Sequence, residues 1–300
     1  MDRQSAPSSF SDAFSRRALA MKGNLEAAHV VDQLIAERGR RLVCHPLWPL
    51  LRPIVYRALK YGPAVSMADA VQELSGLESL SYVSGLLKLT LDITGIERIP
   101  RSGGCMIIAN HPTGIADGIA MFDLIRRRRS DLMFFANRDA LRVNPQFREV
   151  VIPVEWRAGE KSHAKSRATF AATGKAFDEG RAVVLFPSGR IAYWNEGRLT
   201  ERPWQPSVAA LVRRFEVPVI PMHMDSRNSG LFYWLSKWNT ELRDMTVFHE
   251  LLNKKGAQFR MIVGHPIAPE ALGEDLALAT QRLQAHCVEK LKADPDARFE

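Results

Sequence analysis

A histidine and an aspartate stand six positions apart, where an apolar run of the sequence gives way to a turn. The run covers 105–109, His111 lies two residues beyond it, and Asp117 opens the next apolar segment. Because the run is short and bounded by turn residues, it predicts a buried strand, and helical spacing takes over after Asp117. Ligands bind at the ends of strands in open α/β sheets. A histidine there, with a carboxylate nearby, has the parts of a general base and its orienting partner.

The segments around this pair alternate between short apolar runs and helical patterns. Further strands are predicted at 92–99, 132–136, 150–154, 182–186, 217–222 and 259–266. Helices are predicted at 119–125, 162–177 and 276–291, among others. This alternation predicts an α/β fold with a mixed, largely parallel sheet flanked by helices and an N-terminal helical extension.

Four regions are predicted along the chain: a flexible tail at 1–24, a helical region at 25–91, the α/β domain at 92–270 and a C-terminal helix at 271–300. Within the helical region, 45–61 combines apolar residues at helical spacing with basic ones, and Pro49 and Pro53 predict a broken or kinked helix. Two interpretations stay open for this segment. It could lie in a membrane interface, or it could pack on the main domain.

Composition narrows the class of protein. The 300 residues are 46% hydrophobic and 25% charged, as in an ordinary globular protein. A net charge of +8 favours an anionic partner, either a nucleic acid or a membrane surface. Three scattered cysteines predict reduced thiols in a cytoplasmic protein. We find no apolar run near the roughly 20 residues that span a bilayer, and no signal peptide is expected.

Other chemistries find little support in the sequence. His223, His249 and His265 lack the spacing of metal ligands, so we expect no metal site. The glycines match neither the Walker nor the dinucleotide pattern. Ser188 lacks the surroundings of a serine nucleophile. The four arginines at 126–129 are interpreted as a solvated helix end, with phosphate or lipid binding as the alternative.

Four segments of the chain resemble, in order, four sequence blocks of the glycerol-phosphate and lysophospholipid acyltransferases. They are 110–117, 134–138, 186–190 and 217–221, and the resemblance covers roughly 92–266. It implies an O-acyltransferase that moves a fatty acyl chain from a thioester of coenzyme A or acyl carrier protein to the hydroxyl of a lyso-lipid. No resident cofactor is implied, because the thioester is a co-substrate.

The resemblance also implies roles for particular residues. His111 would take the proton from the acceptor hydroxyl and later protonate the leaving thiol, while Asp117 fixes the imidazole tautomer. An arginine could hold an anionic head group through two parallel hydrogen bonds, although an ion-paired surface arginine is the alternative. Six residues are predicted to bind substrate: Asn110, Arg138, Ser188, Gly189, Arg190 and Pro221.

Two departures from the family pattern bear on substrate and activity. Five residues separate His111 from Asp117 where the family has four, and the turn at 113–114 could absorb the extra one. Ser188 stands where the family has a glutamate, which leaves a head group other than glycerol phosphate open. These departures motivate one alternative, a catalytically inactive lipid-binding or membrane-scaffold protein with the same fold.

The predicted partners are therefore a lyso-lipid acceptor, acyl-CoA or acyl carrier protein, and an anionic membrane surface. The predicted location is cytoplasmic and peripheral, on the inner face of the membrane. Nucleic-acid binding is a third hypothesis that rests on the net charge alone, because no recognised motif accompanies it.

Overall fold

A seven-stranded sheet forms the centre of the protein in a computed structural model that describes residues 28–155 and 162–300. The tail predicted at 1–24 lies outside the described residues. The strands of the sheet are β1 Thr90–Thr94, β2 Cys105–Ala109, β3 Leu132–Asn137, β4 Val151–Val154, β5 Ala182–Leu185, β8 Val219–Asp225 and β9 Gln258–Val263. Two more strands, β6 Tyr193–Asn195 and β7 Arg198–Thr200, form a separate antiparallel hairpin.

The strand order is β1-β9-β8-β2-β5-β3-β4, and the neighbouring strands pair in parallel except β8 with β9. The five strands from β8 to β4 therefore run in one direction, and the predicted mixed, largely parallel sheet is confirmed. Strand β2 lies in the middle and every residue of it is buried. A strand covered on both faces needs apolar side chains at successive positions, which explains the continuous run in the sequence.

Helices cover both faces of the sheet. They are α1 Val30–Arg38, α2 Arg40–Val43, α3 Trp48–Ala58, α4 Tyr61–Val71, α5 Gly76–Leu87, α6 Ile115–Ile125, α7 Ala140–Val143, α8 His163–Asp178, α9 Ser207–Phe215, α10 Gly230–Trp238, α11 Thr240–Met245, α12 Val247–Leu252, α13 Leu276–Ala285 and α14 Leu291–Ala293. Ile107 of β2 joins the core with the N-terminal helices, while Met106 and Ile108 join the core with α8, α9 and α13. The two cores follow from the alternation of side chains along a strand.

Helix α3 is fixed to the domain by its polar face. Asp32 of α1 is buried and accepts hydrogen bonds from Arg52, Tyr56 and Tyr61. The helix runs through Pro53, so of the predicted break or kink only the break is excluded there. Helix α3 therefore packs on α1 and α4 of the helical region, while its apolar side chains Leu50 and Ile54 stay exposed. None of the described helices is both long and apolar enough to cross a membrane.

The four-arginine run is a solvated helix end only at Arg126 and Arg127, which are exposed. Arg129 is buried, and its guanidinium is paired with Asp131 and donates to the carbonyl oxygens of Pro100, Gly103 and Gly180. These partners lie just before β2, β3 and β5. The arginine therefore ties together the loops at the edge of the sheet opposite to the strand ends that carry His111, and that prediction is corrected for this residue.

Other boundaries differ from prediction by a few residues. Strand β1 ends at Thr94, and a short 3₁₀ turn replaces the rest of the strand predicted at 92–99. The strand predicted at 217–222 is observed as β8, which begins at Val219 and continues to Asp225. The sequence did not predict the β6–β7 hairpin or the helices α10 to α12. All three cysteines, Cys44, Cys105 and Cys287, are buried and unbridged.

Candidate active site

The carboxyl ends of β8, β2, β5 and β3 lie side by side at one edge of the sheet, since these strands run in the same direction. His111 follows β2, the turn 186–190 follows β5, and Arg138 follows β3. Neighbouring strands are about 4.8 Å apart, so Arg138 leaves the sheet roughly 10 Å from the strand of His111. Residues far apart in the sequence are thus brought to one edge.

His111 and Asp117 are in contact. The Nδ1 atom of His111 lies 2.9 Å from Oδ2 of Asp117. The approach is too oblique for a well-aligned hydrogen bond, and this buried nitrogen has no other partner among the described residues. Catalytic hydrogen bonds are often poorly aligned before substrate binds. The distance is that of an ion pair, and it is Nδ1 and not Nε2 that faces the carboxylate.

The Asp117 carboxylate is held by the loop that contains the extra residue. It accepts hydrogen bonds from the main-chain N–H groups of Thr113 (2.8 Å) and Gly114 (3.0 Å) and from the Thr113 hydroxyl. Asp117 is fully buried in the first turn of α6, where a negative charge is favoured by the helix dipole. Gly114 has φ +95°, and a Cβ there would come within 2.8 Å of Ile191. The longer loop therefore still delivers the aspartate to the histidine.

The main chain of His111 is hydrogen-bonded to residues at both ends of the β6–β7 hairpin. The Ala192 N–H donates to the His111 carbonyl at 2.9 Å, and the His111 N–H donates to Oε2 of Glu201 at 3.2 Å. The imidazole stacks on Phe186, with ring centroids 4.3 Å apart and planes 19° from parallel. The side chain of His111 keeps 18% of its surface exposed. The ring is held on one face and at its backbone while part of it stays accessible.

Glu201 is a site residue that the sequence did not predict. It is 9% exposed, and burial raises the pKa of its carboxyl, against the opposing effects of the Ser188 hydroxyl, His111 and the Trp204 indole. Its Oε1 atom has no hydrogen-bond partner in the described structure, and neither has the indole nitrogen of nearby Trp204. Its sequence neighbours gave no signal, because the contact joins positions 90 residues apart through a main-chain N–H.

Asn110 serves to extend the sheet. Its side chain donates to the Met224 carbonyl at 2.8 Å and accepts from the Met224 N–H at 2.7 Å. The buried amide thus continues the β2–β8 pairing beyond the last strand residue. It positions the histidine that follows rather than presenting a free group to substrate.

The two predicted arginines differ in their surroundings. The main-chain N–H of Arg138 donates to Val154 of β4, while its Nε atom is buried and unpartnered within the described part of the chain. An unpaired guanidinium N–H is suited to an oxyanion. Arg190 is exposed at the surface of the turn after β5.

The turn at 188–190 uses its own polar groups. The Gly189 N–H donates to Phe186, and the Ser188 hydroxyl donates to the Arg190 carbonyl while accepting from the Arg190 N–H. In this conformation the Gly189 N–H is not available to a phosphate. Pro221 lies inside β8, opposite Ile108 of β2, so the structure does not bring it among the side chains of the site.

An aromatic cleft of about 580 Å³ opens beside the hairpin. Its walls include Trp194 of β6 and Tyr233 and Trp234 of α10, and Arg227 and Lys237 supply positive charge. Trp194 contacts Tyr233 with ring centroids 5.7 Å apart. Across 28–155 and 162–300, no group of three histidine, cysteine or acidic side chains is arranged to hold a metal ion.

Comparison with known proteins shows which family this part of the chain is similar to. Residues 90–225 match the family described as Acyltransferase, a range that begins with β1 and ends with β8. The matched range contains His111, Asp117, Glu201 and the predicted substrate-binding residues. The part of the chain from β1 to β8 therefore matches the acyltransferase family, as its four motifs predicted, and this match supports the assignment of the protein as an acyltransferase.

Two curated relatives are lyso-glycine lipid O-acyltransferases. The one from Phocaeicola vulgatus is 23% identical over 200 residues, a match that covers 64% of this chain and 69% of the relative. The one from Bacteroides thetaiotaomicron is 22% identical over 200 residues, covering 64% and 71%. The crystal structure of the 1-acyl-sn-glycerophosphate acyltransferase PlsC from Thermotoga maritima aligns with a TM-score of 0.46 and 16% identity, over 89% of this chain and 99% of that one.

Proposed function

We propose that this acyltransferase moves a fatty acyl chain from an acyl thioester to the hydroxyl of a lyso-lipid, with His111 as the general base. The observation that carries the proposal is the 2.9 Å contact between His111 and Asp117 at the strand-end edge of an acyltransferase domain. Because a thioester is already activated, the enzyme chiefly has to supply a base and hold the two substrates together.

The proposed reaction moves one proton. Nδ1 of His111 faces Asp117, so Nε2 accepts the proton of the acceptor hydroxyl as its oxygen attacks the thioester carbonyl. The C–S bond then breaks, and the imidazolium returns the proton to the leaving thiolate, giving an ester and a free thiol. Asp117 holds the ring in the tautomer that leaves Nε2 unprotonated at the start.

The proposed acceptor has an anionic head group. The buried, unpartnered Nε of Arg138 supports this, because a guanidinium binds oxyanions. The two curated relatives act, by their names, on a lyso-glycine lipid, which makes that lipid the first acceptor to test. Ser188 in place of the family's glutamate is a further reason not to assume a glycerol-phosphate acceptor.

We also propose that the protein rests on an anionic membrane surface. Leu50 and Ile54 of α3 are 71% and 68% exposed, and Trp234 and Trp238 of α10 are 57% and 75% exposed. The chain carries a net charge of +8, which favours an anionic lipid surface. Apolar side chains beside basic ones suit the interface of a bilayer.

The experiment is a transfer assay with lyso-glycine lipid and 1-acyl-glycerol phosphate as acceptors, and acyl-CoA and acyl carrier protein as donors. Mass spectrometry detects the diacylated product. We expect product from at least one combination, and none above background from His111→Ala. If wild type forms no product with any combination, the proposal fails and the inactive lipid-binding alternative is favoured.

A further inference from the structure

The proposed reaction leaves one buried carboxylate beside the histidine unused. Glu201 reaches the site from the end of the β6–β7 hairpin, and its Oε2 accepts the main-chain N–H of His111. Its Oε1 has no hydrogen-bond partner among the described residues. Glu201 is 9% exposed, so water does not compensate for the missing partner.

A buried carboxylate of this kind reduces the stability of the folded state. An acidic group held out of water is disfavoured in its charged form unless a hydrogen-bond donor or a positive charge compensates for it. Among the described residues no lysine or arginine is paired with Glu201. The positive charge that acts on it is that of His111, when the imidazole is protonated. That charge appears during the proposed reaction, because the ring becomes an imidazolium when it takes the proton.

Glu201 also shares its pocket with Ser188. Ser188 is buried beside Glu201 and its hydroxyl lowers the pKa of the Glu201 carboxyl, while its proton is donated to the Arg190 carbonyl in this conformation. Phe186, two residues earlier in the same turn, stacks on the imidazole. The side chains at 188 and 201 therefore approach the His111 segment from two different parts of the chain and meet beside it.

We propose that Glu201 is a positioning residue for His111: it fixes the main chain of the histidine and places beside the imidazole a negative charge that position 188 does not supply. The inference rests on the proposed function, since it assigns Glu201 to the same proton transfer. Its Oε1 is buried and its Oε2 accepts from the His111 N–H, so we assign Glu201 to position the histidine and not to bind substrate.

Four variants test this: Glu201→Gln, Glu201→Ser, Ser188→Glu and the double variant Ser188→Glu/Glu201→Ser. Glutamine keeps an acceptor for the His111 N–H but removes the charge, so we expect kcat to fall about tenfold with KM little changed. The acidic limb of its pH–rate profile should move to lower pH. Glu201→Ser removes both functions, and we expect a loss of about 100-fold.

The double variant distinguishes positioning from simple packing. Ser188→Glu alone crowds two carboxylates and should lower kcat, whereas in the Glu201→Ser background it should recover at least about tenfold of the lost rate. Glu196→Gln, at the exposed tip of the same hairpin, is the matched control and should behave as wild type. Thermal unfolding verifies that every variant is folded.

A wild-type pH profile and kcat in Glu201→Gln would overturn the inference, and so would a double variant no faster than Glu201→Ser. If wild type shows no acyl transfer, the proposed function fails separately. The coupling is then read from the NMR titration of the His111 imidazole, which should shift between wild type and Glu201→Gln. An unchanged titration overturns the inference without any activity measurement.

Discussion

The imidazole of His111 lies flat against the ring of Phe186, with centroids 4.3 Å apart. The contact fixes the plane of the imidazole, while the contact of Nδ1 with Asp117 fixes the orientation of the ring within that plane. We expect Phe186→Ala to lower kcat about tenfold with KM nearly unchanged, because a freer ring spends less time in the reactive orientation. Phe186→Leu, which keeps an apolar support, should lose less. Steady-state kinetics decide, and equal rates for the two variants and wild type would contradict this role.

Asp117 has a second duty in the fold, because three donors from 113–114 converge on it. Asp117→Asn should lower kcat by about 10²–10⁴-fold and also reduce the free energy of unfolding by about 1–3 kcal/mol, since an amide N–H would face a main-chain donor. Asp123→Asn is the control on the same helix. Asp123 is also buried and accepts from Ser84, so it should lose stability but keep kcat.

Arg138 is expected to act on acceptor binding. Arg138→Met should raise the KM for an anionic lyso-lipid at least about tenfold, with a smaller effect on kcat, because the buried Nε loses its oxyanion. Arg142→Met provides the comparison, since Arg142 pairs with Glu37 and Gln33 of α1. An increase in KM of the same size in both variants would show that Arg138 acts only through the fold.

Membrane binding should depend on the exposed face of α3. Changing Leu50 and Ile54 together to glutamate should weaken co-sedimentation with vesicles of anionic phospholipid by about tenfold or more, since it removes apolar area and adds negative charge. Leu278 on α13 is 51% exposed, and Leu278→Glu is the control. Equal binding by all three proteins would leave α3 without this function.

Stability should fall in mild acid because of His223. Burial lowers the pKa of this histidine below 6.5. Its Nδ1 lies 2.9 Å from the Cys287 carbonyl, and its Nε2 is buried with no hydrogen-bond partner among the described residues. Below about pH 6.5 His223 binds a proton in the unfolded chain but stays neutral in the folded chain. The free energy of unfolding therefore decreases as pH falls. Urea unfolding at pH 7.5 and 5.5 should show a smaller decrease for His223→Asn than for wild type.

The sheet and its central histidine could be predicted because they depend on local pattern. The run at 105–109 is apolar at every position since β2 is covered on both faces, and His111 follows directly. The turn at 113–114 was also expected to accommodate the extra residue before Asp117. The catalytic roles of both residues stay predictions until the variants are measured.

The hairpin and the helices after β8 could not be predicted in the same way. Strands β6 and β7 have three residues each, too few to show a period. Arg129 looks like its three neighbours in the sequence, and only tertiary structure turns it inward. The role of Glu201 could not be predicted for another reason. Its partner is a main-chain N–H, and no pattern of side chains in the sequence indicates such a contact.

The attachment of the hairpin to His111 limits how the enzyme can open. Ala192 and Glu201 hold the carbonyl and the N–H of the same residue, one from each end of the hairpin. A hairpin anchored in this way can swing aside as a lid only if both hydrogen bonds to His111 break. While they are in place, the proposed acceptor and donor have to share the approach that remains. Competition between the two substrates at high concentration is the kinetic behaviour to look for.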